Sequence, residues 1–140
     1  MNRLVIDELL FIVGYHPVNT KLRSNLTNNA VVVNERFNIT CSSEANPPAK
    51  YRFYKNQNNL VNDTTGSDVS VITTSVSERR EQVNYSCTPF NEFGDGPTDG
   101  LTLTVLCKYV ISIAMPSFMF YQNTICQLRK IIYQNKKIRR

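Results

Sequence analysis

Four cysteines are the residues of this chain whose chemistry is easiest to interpret: Cys41, Cys87, Cys107 and Cys126. Their spacings contain none of the C-x-x-C pairs typical of zinc or redox sites, and their even number favours an oxidising compartment. Other reactive groups are scarce. The single histidine, His16, has no neighbouring nucleophile or carboxylate pair, and no phosphate-binding or nucleophile-elbow motif occurs. The sequence therefore predicts no enzyme, no metal site and no cofactor.

The residues around the first two cysteines alternate as half-buried strands do. One apolar set is Phe37, Ile39 and Cys41, and the other is Val83, Tyr85 and Cys87. Two such strands, each ending in an inward cysteine, can face each other across a sandwich core. Between them, Tyr51 and Phe53 alternate with polar or outward residues in a third segment. Short strands of this kind, separated by turns, predict an all-β sandwich of two sheets.

Three features together resemble the immunoglobulin superfamily, most closely its I-set and C2-like domains: Cys41, an aromatic at Phe53, and Tyr85-Ser86-Cys87. The resemblance covers about residues 18–106 and implies an antiparallel sandwich of about seven strands. It also implies a disulfide between Cys41 and Cys87, a core position for Phe53, and a tyrosine corner at Tyr85. Two buried free thiols are the alternative. The chain has no tryptophan, so Phe53 stands where strand C of the family normally presents one.

The family pattern predicts where the strands lie. We expect a split first strand at 18–22 and 30–33, followed by strands at 36–43, 50–55, 68–76, 82–89 and 101–105. The stretches 56–59 and 62–68 are rich in Asn, Thr, Gly and Asp, and are expected to be turns. The approach to the tyrosine corner is one residue longer than is usual in the family.

Residues 1–17 have two interpretations. Arg3 supplies the basic start of a secretory signal, but Asp7 and Glu8 interrupt the apolar stretch and no small-x-small cleavage site follows. The segment is therefore a poor signal peptide. Alternatively, Tyr15-His16-Pro17-Val18 resembles the join between tandem immunoglobulin-like domains, which makes residues 1–17 a remnant of a preceding domain.

The C-terminal region also leaves alternatives open. Residues 109–128 lack charge and are long enough to cross a membrane, although Pro116 and several polar residues interrupt them. The basic tail 129–140 follows, as expected for a single-pass protein with its N-terminus outside. A non-native C-terminus from a mispredicted gene is the alternative for residues after 106. Cys107 and Cys126 are paired, free or lipidated, and the sequence does not decide between these states.

Charge and glycosylation motifs bear on the compartment and the partner. The tail carries six positive and no negative charges, so subtracting it from the net charge of +5 leaves −1 for the rest. This distribution argues against a nucleic-acid partner. Asn-x-Ser/Thr triplets make four asparagines glycosylation candidates, provided that the chain is secreted: Asn25, Asn38, Asn62 and Asn84.

The resemblance implies an extracellular or cell-surface recognition module that binds another protein, a like molecule or a different one, without covalent chemistry. Candidate binding regions are the B–C loop (44–49), the F–G loop (90–98) and the edge of strand G. Tyr54 and Phe93 are the candidate anchors, because they are expected to point outward or to lie at a loop tip. The alternatives are a structural spacer in a tandem array and, more remotely, an intracellular domain of the same fold.

Overall fold

The computed structural model describes residues 13–112 and 119–126, and strands dominate this part of the chain. In chain order the strands are β1 (Tyr15–Ser24), β2 (Ala30–Val32), β3 (Arg36–Asn46), β4 (Lys50–Lys55), β5 (Asn58–Asp63), β6 (Val69–Ser75), β7 (Gln82–Asn91), β8 (Gly94–Asp95), β9 (Asp99–Ser112) and β10 (Met119–Ile125). A short 3-10 turn, Thr27–Asn29, connects β1 to β2.

The strands form two sheets. The smaller sheet has the order β1-β3-β6, and the larger sheet contains β5, β4, β7 and β9 as hydrogen-bonded neighbours. In the larger sheet β2 pairs with β9 in parallel, β8 pairs with β7, and β10 pairs with β9. The predicted all-β, two-sheet immunoglobulin-like sandwich is confirmed.

The core lies between the sheets and is centred on a disulfide between Cys41 of β3 and Cys87 of β7. Phe53 stands opposite Cys87 in the β4–β7 register and is 1% exposed. The ring of Tyr85 meets the ring of Phe37 edge-to-face, with centroids 5.8 Å apart. Apolar residues at every second position therefore close the sandwich from both sides, because successive strand residues point to opposite faces.

The tyrosine corner that the resemblance implies at Tyr85 is not formed. The ring is buried, but its hydroxyl has no hydrogen-bond partner among the described residues. Burial raises the pKa of Tyr85, and the nearby Thr74 hydroxyl opposes that rise without meeting hydrogen-bond geometry.

The prediction that residues 56–59 and 62–68 are turns throughout is wrong, because β5 occupies Asn58–Asp63. Asn56 and Gln57 have φ values of 49° and 68°. Positive φ at both central residues is the geometry of a type I′ turn, which joins adjacent strands with matching twist. The chain therefore folds back as a hairpin and adds β5 to the larger sheet beside β4.

β9 runs past the predicted end of strand G and continues into a hairpin with β10, whose register extends from Ile125↔Leu106 to Met119↔Ser112. Val105 donates its N–H to the Glu81 carbonyl at 2.9 Å, and its carbonyl accepts from Cys126 N–H at 3.3 Å. Both groups of one strand residue point to the same side. β10 therefore follows β7 along the same edge of β9, and a Cys107–Cys126 disulfide closes the hairpin.

The described residues contain no helix that is both long and apolar enough to cross a membrane. Within the stretch 109–128, the described residues belong to β9, β10 and Cys126. The rest of that stretch, the basic tail and residues 1–12 lie outside the described residues. The membrane span and the assignments at both ends of the chain stay predictions.

Candidate functional site

Residues 13–17, called here the lead-in segment, pass between the two loops predicted to bind a partner. Asn91 joins all three pieces of chain. Its Nδ2 donates to the carbonyl oxygens of Tyr15 at 2.8 Å and Pro47 at 3.0 Å, while its Oδ1 accepts from the Phe93 N–H. Asn46, which precedes a cis bond to Pro47, donates its Nδ2 to the Val13 carbonyl at 2.8 Å. The B–C and F–G loops are thus fastened to the lead-in segment.

Two glycines allow this close approach. The ring of Phe93 lies over Gly14 so tightly that a Cβ at Gly14 would stand 2.2 Å from Cζ of the ring. A Cβ at Gly96 would stand 2.6 Å from the Pro17 carbonyl oxygen. Phe93 is nevertheless 54% exposed. It therefore covers the lead-in segment with one side of its ring and faces solvent with the other.

A second group of side chains lies on the outer face of the larger sheet. Arg52 of β4 holds its guanidinium carbon 3.9 Å from the centroid of the Phe90 ring, and its Nη1 lies 3.0 Å from Oδ2 of Asp95. The Arg52 side chain remains 33% exposed. Stacking on an aromatic ring and pairing with a carboxylate fix the direction of the guanidinium. We call this group, together with Tyr54 on the same strand face, the Arg52 face.

The two predicted anchors do not form one site. Tyr54 is partly buried and stands opposite Ser86 of β7. Lys50, at the other end of β4, stands opposite Phe90, close to the F–G loop that carries Phe93. Four residues of strand separate these two positions, which is about 13 Å. Tyr54 therefore belongs to the Arg52 face, whereas Phe93 belongs to the lead-in contact.

The third predicted binding region, the edge of strand G, is partly covered. β2 pairs with β9 from Ala30↔Thr104 to Val32↔Leu106, and Val33 donates its N–H to the Leu106 carbonyl. On the other edge, β7 pairs with β9 at residues 99–104, and β10 follows it at residues 106–112. A partner strand therefore has no access to β9 where β2 lies.

All four glycosylation candidates are exposed. Asn25 and Asn38 are neighbours, because the Asn25 Oδ1 accepts the Asn38 N–H at 2.9 Å. Asn38 lies on the smaller sheet, Asn84 on β7 of the larger sheet, and Asn62 on β5. Each of the four asparagines accepts a hydrogen bond through its side-chain Oδ1. A glycan is attached through Nδ2, so these hydrogen bonds do not occupy the atom that would carry it.

The titratable groups with altered pKa values hold the fold together and do not gather at a reactive centre. Hydrogen bonds from Ser70 and then Thr65 lower the pKa of Asp63, and a hydrogen bond from Lys55 lowers the pKa of Glu78. Burial raises the pKa of Tyr51. Across the described ranges, no three His, Cys, Asp or Glu residues cluster as metal ligands would.

Arg52 was not predicted from the sequence as a binding residue, and Phe90 and Asp95 were included only as members of the F–G loop 90–98. One signal was present: Arg52 alternates with Tyr51 and Phe53, so its side chain had to point away from the core. Its two partners come from positions 90 and 95, and only the pairing of β4 with β7 brings them together. The lead-in contact was also missed, although the sequence analysis identified both loops that take part in it.

Comparisons with known proteins agree with this architecture. Residues 19–105 match the protein family described as Immunoglobulin domain. Similar solved structures include the full ectodomain of mouse nectin-like molecule 4, at 14% identity and a TM-score of 0.52, covering 66% of this chain and 35% of that one. Titin M4 is 18% identical, with a TM-score of 0.51, covering 66% of this chain and 98% of that one.

A PKD domain of an M14-like peptidase from a Thermoplasmatales archaeon is similar to the same extent. It is 6% identical, with a TM-score of 0.51, covering 66% of this chain and 98% of that one. No curated protein matches the chain in sequence. At these identities the likeness to solved structures concerns the fold alone, and the chain spans about a third of the nectin-like ectodomain.

Proposed function

The chain belongs to the immunoglobulin domain family, and on that premise we propose that it is an extracellular recognition module that binds another protein through the Arg52 face. Two disulfides, Cys41–Cys87 and Cys107–Cys126, support an oxidising compartment. Four exposed glycosylation triplets are consistent with secretion. Binding requires no covalent step, because the Arg52 face presents a guanidinium and aromatic rings and lacks a nucleophile–base pair.

The orientation of Arg52 is the observation that carries this proposal. Arginine and tyrosine are enriched among the residues that contribute most to protein interfaces. An arginine already stacked on Phe90 and paired with Asp95 loses little conformational freedom when a partner arrives. The guanidinium has five N–H donors, so it retains donors for a carboxylate of the partner. Tyr54 adds a partly exposed ring beside it.

The end loops are less suitable for a partner. Asn91 and Asn46 fasten the F–G and B–C loops to the lead-in segment, and Phe93 places one side of its ring on Gly14. A partner at this end would compete with the chain's own lead-in segment. Among the described residues, no such hydrogen bond joins the lead-in segment to the Arg52 face.

A partner screen tests the proposal. The 140-residue chain is secreted from eukaryotic cells, displayed in many copies, and offered to a panel of extracellular proteins and intact cells. Against any partner found, Arg52→Ala is expected to weaken binding at least about tenfold, a typical effect for an interface arginine. Arg23→Ala, an exposed arginine on β1 of the other sheet, is the matched control and should bind as the parent does. Equal affinity of both variants, or no partner for the parent chain, contradicts the proposal.

The lead-in contact favours a second candidate function, a spacer in a tandem array. A spacer must hold a preceding domain in a fixed direction, and Asn91 donates both to the Tyr15 carbonyl of the incoming chain and to the Pro47 carbonyl of the B–C loop. In a chain extended upstream through such a domain, small-angle scattering should report one fixed interdomain angle, and Asn91→Ala should broaden its distribution. Absence of a second domain of this kind upstream, or an unchanged distribution in Asn91→Ala, ends the spacer hypothesis.

A further inference from the structure

β6 lies at the outer edge of the smaller sheet. β6 is the last strand of the smaller sheet and pairs with β3 in an uninterrupted register from Arg36↔Ser75 to Ser42↔Val69. Within residues 13–112 and 119–126, no strand pairs with its other side. The preceding strand, β5, joins the opposite sheet. Among the described strands, the whole length of β6 therefore forms an edge of the smaller sheet.

The hydrogen bond between Ser43 and Asp68 shows which backbone groups face that edge. The Ser43 N–H donates to the Asp68 carbonyl at 3.1 Å, so even-numbered residues along β6 direct their backbone groups to β3. The odd-numbered residues direct N–H and C=O groups outward: Val69, Val71, Thr73 and Ser75. The N–H of the first of these is occupied by the Ser67 Oγ at 3.3 Å. The other outward groups are available to a pairing strand.

β6 lacks the features that usually protect an edge. Its sequence, Val-Ser-Val-Ile-Thr-Thr-Ser, contains no charge, no proline and no glycine, and its register with β3 has no bulge. Val69 is 48% exposed and Val71 is 57% exposed. Two other edge strands, β1 and β5, differ from β6 in this respect. β1 carries Lys21 and Arg23, and β5 ends in Asp63 and has an irregular register with β4.

We propose that β6 pairs with β6 of a second copy of this chain, antiparallel and across a two-fold axis centred on Ile72. In this register Val71 stands opposite Thr73 of the second copy, and Val69 stands opposite Ser75 of the second copy. The outward groups then form about six hydrogen bonds. The two smaller sheets become one continuous sheet of six strands.

Charge and symmetry favour a second copy as the occupant. A strand without charge can face an identical strand with no like-charge repulsion. In the two-fold dimer the β6 edges of both copies pair with each other, so neither β6 edge is left for a third copy. The remaining outer edge of the joined sheet is β1, whose Lys21 and Arg23 oppose further addition. Pairing therefore stops at a dimer.

The dimer is small and reversible, because a single strand pair falls at the low end of interface sizes. Asn38 stands opposite Thr73 in the β3–β6 register, and the Thr73 hydroxyl donates to its Oδ1 at 2.8 Å. A glycan there projects from the sheet face, whereas the added strand lies in the plane of the sheet. Glycosylation and pairing are therefore compatible.

Sedimentation velocity of the secreted full chain over a concentration series tests this interface. Val71→Pro removes an N–H that faces the open edge, where proline is tolerated in a strand. The loss of one net hydrogen bond changes an equilibrium constant roughly fivefold. Both copies of the dimer carry the substitution and two hydrogen bonds are lost, so the dimerisation constant should fall about 30-fold. Val71→Lys places a positive charge on each β6 strand, and dimerisation should weaken because the two like charges lie near each other in the strand pair. Val61→Lys, at a 42% exposed valine of β5, is the matched control and should dimerise as the parent does.

Hydrogen exchange identifies the edge directly. At dimer-forming concentrations the amides of Val71, Thr73 and Ser75 should exchange more slowly than in dilute solution. A parent chain that stays monomeric throughout the series overturns the proposal. So does a dimer that survives both Val71 substitutions, or one whose protection lies elsewhere. Val71→Lys decides the question if Val71→Pro fails to fold.

Discussion

Two tyrosine-to-phenylalanine substitutions in the same core are expected to change the free energy of unfolding in opposite directions. Tyr51 and Tyr85 are both buried, at 1% and 2% exposure. Each substitution removes one hydroxyl and keeps the ring, so the packing of the sandwich is retained. The difference between the variants therefore reports the hydrogen bonding of the two hydroxyls.

The Tyr51 hydroxyl donates to the Asp68 carbonyl at 2.8 Å and lies 3.0 Å from the Ser43 Oγ. Tyr51→Phe leaves the Ser43 hydroxyl buried without this partner, whereas the Asp68 carbonyl still accepts the Ser43 N–H. Leaving a buried polar group unpaired costs about 1–3 kcal/mol. We expect Tyr51→Phe to lower the free energy of unfolding by that amount and Tm by at least about 3 °C.

The Tyr85 hydroxyl is buried and has no hydrogen-bond partner in the described part of the chain, so the folded state already bears the cost of removing it from water. Tyr85→Phe removes that cost and keeps the edge-to-face contact with Phe37. The expected change is between zero and about 1 kcal/mol of stabilisation. A tyrosine corner of the kind found in antibody domains would give the opposite sign, because its hydroxyl bonds to backbone.

Urea unfolding of the full chain, followed by tyrosine fluorescence and far-ultraviolet circular dichroism, measures both values with the disulfides intact. Equal m-values among the parent and the two variants show that the unfolded states are comparable. The account is refuted if Tyr85→Phe destabilises the chain by 1 kcal/mol or more, roughly the value of one buried hydrogen bond. It is also refuted if Tyr51→Phe is neutral.

Three further predictions concern an acid, two glycines and the second disulfide. Asp63→Asn should lower the free energy of unfolding at pH 7 by about 1 kcal/mol. Because folding lowers the pKa of Asp63, the difference in stability between the parent and the variant should shrink as the pH falls below 3.8, the ordinary pKa of this side chain. Gly96→Ala should destabilise more than Gly14→Ala in thermal unfolding, since its Cβ meets a backbone carbonyl and not a movable ring. Cys107→Ser with Cys126→Ser should speed amide exchange in β10 and leave β3 and β7 protected, because that bridge closes the β9–β10 hairpin and contains no residue of β3 or β7.

The core strands were predictable because their environment repeats along the chain. β3 and β7 pack one face against the opposite sheet, so Phe37, Ile39 and Cys41 alternate with polar residues, and the same holds around Cys87. A pattern of period two needs no knowledge of distant contacts. The strand bounds at 36–43 and 82–89 therefore fall inside the observed β3 and β7.

β5 escaped prediction for a physical reason. Its residues are exposed at nearly every position, so no apolar face marks it. Its place in the sheet comes from backbone pairing with β4 and from the turn at Asn56 and Gln57. Asn is a usual residue at positive φ, but Gln is not, and the turn signal was therefore incomplete.

The functional surfaces depend on contacts between distant parts of the chain. Arg52 contacts Phe90 and Asp95 because β4 pairs with β7. The lead-in segment contacts Asn91, which is 76 residues away from Tyr15 in the sequence. Outward-pointing residues such as Arg52 and Tyr54 can be read from alternation. Which of them acquire partners depends on loop conformation, and alternation carries no information about that.

Peptide mapping by mass spectrometry under non-reducing conditions, on the chain secreted from eukaryotic cells and treated with and without glycosidase, tests the central claim most directly. An extracellular recognition module predicts linked peptides containing Cys41–Cys87 and Cys107–Cys126, together with sugar on at least one of Asn25, Asn38, Asn62 and Asn84. Free thiols at Cys41 and Cys87 with no sugar on any of the four would contradict it.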